Sequence, residues 1–194
     1  YDAIKEKVTK PLKGLRIAPY YGCFIVRPGF HELWDDHEYP VTLDKLMQAL
    51  GAEVVDFPMK AHCCGGHMTQ VSEGTGMEMI RRLVKGAADY KADMIVTVCP
   101  MCQLNLDAFQ PSMNRWFKTN YKMPILYFTQ MMGVAFGMDA KSLGIGAELV
   151  SARDALAKIG VEVPASEDTT APKKARRDDK SLPMPRMGKE KEAT

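Results

Sequence analysis

Residues 94–102 read Met-Ile-Val-Thr-Val-Cys-Pro-Met-Cys, and they carry the strongest structural signal in the chain. The run from Met94 to Val98 is apolar and rich in β-branched residues, which is typical of a buried strand in a parallel sheet. The Cys99-Pro-Met-Cys102 element follows at once and starts a predicted helix. Two thiols are therefore expected at the carboxyl end of a buried strand.

Two more strand-like runs lie upstream, over Leu15–Tyr21 and Glu53–Phe57. The segments between the strands repeat apolar residues at helical spacing, namely Leu43, Leu46, Met47 and Leu50 in the first segment and Ile80, Leu83, Val84 and Ala87 in the second. Pro40 is placed in the first turn of the first helix, and Gly51 is placed at its end. The alternation predicts an α/β domain with a parallel, Rossmann-like sheet over residues 15–163, after a linker or helix end over residues 1–14.

The composition excludes several classes of protein. The 194 residues carry a net charge of +2, from 26 basic and 24 acidic side chains, so a nucleic-acid-binding protein is not expected. No apolar run reaches the roughly 18 residues of a membrane span. The chain opens with a charged stretch rather than a signal peptide, which predicts a cytoplasmic protein. Because it begins with tyrosine rather than methionine, it is expected to be a piece of a longer chain.

The composition changes near Pro164. From there to Thr194 apolar residues become rare, and Pro, Lys, Arg, Asp and Glu dominate. A stretch of this kind buries too little apolar surface to offset the entropy lost on ordering. Residues 164–194 are therefore predicted to form a disordered, charged tail.

The five cysteines of the chain are its main functional signal. Cys23 comes two residues after the first predicted strand, Cys63 and Cys64 come six and seven residues after the second, and Cys99 directly follows the third. Ligands of open parallel sheets bind outside the carboxyl ends of the strands, so all five thiols are expected at one edge. An odd number of cysteines without a secretory signal favours reduced thiols over disulfides.

The spacing of the cysteines is C-x39-C-C-x34-C-x2-C, and three kinds of site fit it. A structural zinc site uses four ligands in tetrahedral geometry and leaves one cysteine over. A thioredoxin-like redox pair uses Cys99 and Cys102 alone. An iron–sulfur cluster uses several thiolates, and the adjacent Cys63 and Cys64 suit two metals of one cluster. The residues alone favour the cluster and leave the other two kinds of site open.

The motif resembles the cysteine-rich CCG domain of the heterodisulfide reductase B subunit. The resemblance covers residues 15–140 and is carried by Tyr21-Gly-Cys23, Arg27-Pro28, Asp35-Asp36, Pro40, Leu50-Gly-Ala52, Phe57-Pro58, His62-Cys-Cys-Gly-Gly66, Ala92-Asp93 and Val98-Cys-Pro-Met-Cys-Gln-Leu-Asn-Leu-Asp107. Chains of that family carry two such motifs, whereas this chain shows one. It therefore looks like the C-terminal half of such a chain.

The resemblance implies that one noncubane 4Fe-4S cluster is held by Cys23, Cys63, Cys64, Cys99 and Cys102. It further implies an oxidoreductase component that acts on a small disulfide or thiol substrate and is active within a complex. The implied partners are a ferredoxin-type iron–sulfur subunit and a flavin subunit. Two alternatives are an iron–sulfur subunit of a glycolate, lactate or succinate oxidoreductase, and a zinc-bound scaffold module.

Four polar residues near the cysteines have weaker signals. His62 is a weak candidate for donating a proton to a departing thiolate. The charge of Lys60 suits an anionic disulfide, but a lone lysine in a loop is expected to be solvated. Asn105 and Asp107 are expected to shape the helix after Cys102.

Overall fold

The structure is a computed structural model that describes residues 1–27 and 35–164. The predicted tail, apart from Pro164, lies outside the described residues, and so do residues 28–34. Within the described ranges, no helix is long and apolar enough to cross a membrane.

A four-stranded, fully parallel sheet forms the centre of the molecule. Its strands are β1 (Arg16–Tyr20), β2 (Glu53–Val54), β3 (Met94–Thr97) and β4 (Ile125–Tyr127). Their order across the sheet is β2-β1-β3-β4. The chain therefore passes from β1 to β2 on one side of it and then crosses to β3 on the other side. The point between β1 and β3 is the topological switch point, where open α/β sheets bind ligands. The predicted α/β class with a parallel sheet is confirmed.

Eight helices accompany the sheet in the described part of the chain. They are α1 (Asp2–Lys5), α2 (Thr42–Ala49), α3 (Met68–Val71), α4 (Glu73–Asp89), α5 (Pro100–Ala108), α6 (Gln110–Phe117), α7 (Phe128–Ala135) and α8 (Arg153–Ala157). Helices α2, α7 and α8 pack on one face of the sheet, and α4, α5 and α6 pack on the other. The sheet is therefore covered on both faces.

The strands contribute side chains to two separate cores because successive residues of a strand point to opposite faces. Ile17 and Met94 lie in the core with α2 and α7, whereas Ala18 and Ile95 lie in the core with α4 and α5. All four side chains are fully buried. Burial on both faces explains why the run at Met94 is continuously apolar rather than alternating.

Helix α2 differs from the prediction at its start. It begins at Thr42, so Pro40 lies before the helix rather than in its first turn. The N–H groups of Val41 and Thr42 donate to the carboxylate of Asp35, which caps the helix and complements its dipole. At the other end Gly51 has a φ of +91°, as expected for the glycine that terminates a helix.

Two strands differ from the sequence pattern. Strand β2 covers Glu53–Val54 rather than the predicted Glu53–Phe57: it lies at the edge of the sheet, pairs with β1 alone, and is followed by irregular chain up to a turn that begins at Pro58. Strand β4 has no counterpart in the prediction. Its three residues are too few for a periodic signal, and their pairing with β3 identifies them as a strand.

We expect Gly76→Ala to destabilise the fold. A Cβ atom at Gly76 in α4 would lie 2.8 Å from the Cα and 2.9 Å from the backbone nitrogen of Thr69 in α3. A backbone atom cannot rotate aside, so the substitution should cost about 1–3 kcal/mol of the free energy of unfolding, measured with urea.

Gly74→Ala in the same helix is the matched control. A Cβ atom at Gly74 would meet only the Trp116 side chain, at 3.4 Å. Because alanine is the better helix former, this variant should be neutral or more stable by up to about 1 kcal/mol. Equal unfolding free energies for the two variants would contradict the close packing of α3 on α4.

Candidate metal centre

The structure places the five cysteines on the loops that leave the carboxyl edge of the sheet and at the start of α5. Cys23 lies three residues beyond the end of β1, and Cys99 lies two residues beyond the end of β3. Cys102 is in the first turn of α5, while Cys63 and Cys64 lie between β2 and α3. Because β1 and β3 flank the switch point, the thiols lie where ligands of such sheets bind.

The thiols lie near enough to one another to shift one another's pKa. Cys63 contributes to raising the pKa of Cys23, and Cys102 lowers that of Cys64. Cys64 and Cys99 raise the pKa of Cys102, and the charge of Cys64 raises that of Cys23. Among residues 1–27 and 35–164, no three His, Cys, Asp or Glu side chains converge as the ligands of a single metal ion would. The thiols thus share one edge of the sheet without converging as the ligands of one ion.

Two glycines bring backbone close to the thiols. Gly22 has a φ of +75°, and a Cβ atom there would lie 3.1 Å from the Sγ atom of Cys102. Gly65 has a φ of +81°, and its N–H donates to the Sγ atom of Cys63 at 3.4 Å. A side chain at Gly22 would occupy space beside a sulfur. This small cradle and the five thiol donors fit an iron–sulfur group.

The environment affects the individual thiols differently. The pKa of Cys64 is lowered to about 6, chiefly by the hydrogen bond with Cys102. The N–H of Gly66 and the side chain of Asn105 also lower this pKa, whereas burial raises it. The same contact with Cys64, together with burial, raises the pKa of Cys102. Burial, followed by the neighbouring Cys63, raises the pKa of Cys23. Cys64 therefore loses its proton more readily than an ordinary thiol and forms the thiolate, which is the form that binds metals.

A buried tyrosine lies beneath the thiols. Tyr20, the last residue of β1, is fully buried, and its hydroxyl donates to the backbone oxygen of His62 at 2.6 Å. Burial and then the negative charge of nearby thiolates raise the pKa of Tyr20, so it remains a neutral hydrogen-bond donor. The His62 side chain is exposed, and its backbone, rather than its ring, supports the site.

Lys60 differs most from the sequence-based expectation. Its side chain is only 1% exposed, and its ammonium group pairs with the carboxylate of Asp44 at 2.9 Å. It also lies 3.9 Å from the centre of the Tyr39 ring, in a cation–π contact. The backbone oxygen of Lys60 accepts the N–H groups of Tyr21 and Gly22, which hold the loop that leads to Cys23. The lysine is therefore an internal support of two cysteine loops rather than a solvated charge.

Asn105 and Asp107 hold other segments to α5. Asn105 is 4% exposed, and its Nδ2 atom donates to the backbone oxygen of Cys64 at 2.9 Å. The carboxylate of Asp107 accepts the N–H groups of Leu149 and Val150, each at 2.9 Å. Both residues thus act beyond their own helix, and no periodicity in the sequence marks these long-range contacts.

The surface beside the thiols is apolar. Phe24 is 84% exposed, Met101 is 59% exposed and Leu104 is 61% exposed. A cavity of 390 Å³ opens at the same sheet edge, and its walls include Tyr21, Ile25, Val98 and Tyr127. Apolar groups can therefore lie against the protein at this edge of the sheet.

Comparison with known proteins agrees with this site. Residues 17–107 match the CCG family, described as "Cysteine-rich domain". The chain is 35% identical over 160 residues to the B subunit of the ferredoxin:CoB-CoM heterodisulfide reductase of Methanosarcina mazei. It is 34% identical over 151 residues to the 8-methylmenaquinol:fumarate reductase membrane anchor subunit of Wolinella succinogenes.

The extent of these matches differs between the proteins. The two alignments cover 81% and 78% of this chain, respectively, and 53% of each relative, so the chain spans about half the length of the curated relatives it matches. A crystal structure of a hypothetical protein from Helicobacter pylori matches with a TM-score of 0.59 and 13% identity, over 77% of this chain and 28% of the other. At that identity the structural match shows the fold alone.

The fold and the five cysteines define a cysteine-rich redox domain. Residues 17–107 carry a CCG cysteine-rich domain, and the chain is similar to the heterodisulfide reductase B subunit. The family resemblance predicted from the motif is therefore confirmed. The relatives of that name are components of an oxidoreductase complex.

We expect Lys60→Met to destabilise the fold strongly. The substitution leaves the Asp44 carboxylate, whose side chain is 13% exposed, without its cationic partner. Removing one member of a buried pair costs about 3–5 kcal/mol, which urea unfolding of the reduced protein measures.

Lys85→Met is the control, because Lys85 pairs with Asp89 while both side chains remain about half exposed. Such a surface pair contributes about 0.2–1 kcal/mol. Combining Lys60→Met with Asp44→Asn removes both buried charges and should recover part of the loss. If Lys60→Met costs no more than Lys85→Met, then the buried pair does not support the fold.

Proposed function

We propose that this chain is an iron–sulfur redox subunit, and that its five cysteines hold one cluster at the switch point of the sheet. The observation that carries the proposal is the set of thiols from three separate loops at one edge. Cys23 and Cys99 follow adjacent strands, although 75 residues separate them in sequence (99−23−1). An all-thiolate set of this size is typical of iron–sulfur ligation.

The residues of the chain have distinct roles in this proposal. Cys64 and Cys102, each 5% exposed, bind from the side of the core, while the half-buried Cys23, Cys63 and Cys99 bind from the side of solvent. Tyr20 and Gly22 shape the floor beneath the sulfurs. The bound cluster supplies one-electron transfer, and the protein holds it at an edge with an apolar rim.

The relationship to the heterodisulfide reductase B subunit supports a noncubane 4Fe-4S cluster and a small disulfide or thiol substrate. By the same relationship, the partners are a ferredoxin-type iron–sulfur subunit and a flavin subunit, and the complex works in the cytoplasm. The exposed apolar residues beside the thiols suit contact with another protein surface or with the apolar part of a substrate. The catalytic unit is the complex, to which this chain contributes one cluster domain.

A second candidate function is the iron–sulfur subunit of a succinate or fumarate oxidoreductase. The 34% identity to a component of a fumarate reductase favours it. The two functions share the cluster domain and differ in the electron acceptor of the complex. Reduction of a disulfide by the purified complex supports the first function, and reduction of fumarate supports the second.

Anaerobically purified protein should contain about four irons and four acid-labile sulfides per chain, as expected for one such cluster. The measurement is metal analysis by mass spectrometry with sulfide determination. One zinc and no iron would instead identify the zinc scaffold, because zinc sites use four such ligands.

Cys23→Ser should remove or convert the cluster as completely as Cys102→Ser does, because serine is a harder and poorer ligand for iron. The visible absorbance and the EPR spectrum measure the change. Met101→Leu is the control, since Met101 lies between Cys99 and Cys102 but is exposed. A chromophore that survives Cys23→Ser, with disulfide activity that is lost in Cys102→Ser, would identify a two-cysteine redox pair.

A further inference from the structure

One buried amide connects two of the cysteine-bearing elements. Asn105 lies on α5, three residues after Cys102, and its side chain points away from its own helix toward the loop of Cys63 and Cys64. The Nδ2 atom donates to the backbone oxygen of Cys64 at 2.9 Å. With 4% of the residue exposed, this hydrogen bond is made within the core.

The amide of Asn105 also lies near the sulfur of Cys64. A Cβ atom added to Gly66 would lie 3.6 Å from the Cys64 Sγ atom and 3.9 Å from the Asn105 Cγ atom, so both groups border the same small space. A primary amide has two N–H donors, which is enough for one bond to each Cys64 acceptor.

We propose that Asn105 is a positioning residue that holds the Cys63–Cys64 loop against α5 and donates an N–H to the Cys64 sulfur, and thereby raises the reduction potential of the bound cluster. This inference rests on the proposed function. Reduction adds one electron to the cluster, and the added negative charge spreads onto the ligand sulfurs. An N–H donor to a sulfur stabilises that charge, so its removal makes the cluster harder to reduce.

The test replaces the amide and follows two independent properties. Asn105→Leu keeps the approximate size of the side chain and removes both N–H donors. An EPR-monitored redox titration of the anaerobic protein should give a more negative midpoint potential than that of the wild type. Hydrogen exchange of the amides in residues 61–67, measured on the metal-free protein, should become about tenfold faster, as expected for the loss of one buried hydrogen bond.

Asn114→Leu is the matched control. Asn114 lies on α6, and its amide donates to the backbone oxygen of Tyr121 and accepts the N–H of the same residue, at 2.8 and 2.9 Å. Its loss should weaken the end of α6 and leave both the midpoint potential and the exchange of residues 61–67 unchanged. If Asn105→Leu does not fold, then Asn105→Ala decides, because alanine also removes both N–H donors without adding bulk or charge, and should also lower the potential.

The outcomes separate this inference from the proposed function. A wild-type protein without iron refutes the cluster, and faster exchange in metal-free Asn105→Leu would then still establish the positioning role while refuting the effect on potential. A wild-type cluster whose potential and iron content are unchanged in both Asn105 variants refutes the effect on potential. Unchanged exchange in residues 61–67 refutes the positioning role.

Discussion

The parallel pairing of β1 with β3 is the constraint on which the rest of the structure depends. The register joins Ile17 to Met94 and Tyr20 to Thr97, so both strands end at the same level of the sheet. The loops that follow leave the same edge, and the switch in strand order leaves space between them. Cys23 and Cys99 thereby lie at the same edge of the sheet, and the thiol site exists because this pair of strands is buried and in register.

Buried polar contacts give the loops at this edge a defined position. Loops are held less firmly than strands unless their backbone groups find internal partners. Here the partners are the Tyr20 hydroxyl, the backbone oxygen of Lys60 and the Asn105 amide, each of which bonds the backbone of a cysteine loop. Each contact requires a polar group in the core, which is costly unless it is satisfied. The scaffold therefore holds the backbone of the cysteine loops at this edge of the sheet.

The sequence predicted the features that depend on local patterns. The apolar run at Met94, the glycine at position 51 and the placement of cysteines after strands all follow from periodicity or backbone conformation, and the structure has them. The burial of Lys60 and the reach of Asn105 could not be predicted. Their partners are 16 and 41 residues away, and only the packed fold brings them together. The solvated state expected for Lys60 was wrong for that reason.

One cluster site built from the thiols of three distant loops is the core of the proposed function. Anomalous diffraction at the iron absorption edge, from crystals of anaerobically purified protein, tests it most directly. We predict strong iron peaks beyond the carboxyl ends of β1 and β3, with all five cysteine sulfurs bound to the group that produces them. Peaks bound by Cys99 and Cys102 without Cys23, or a single zinc atom in place of iron, would contradict it.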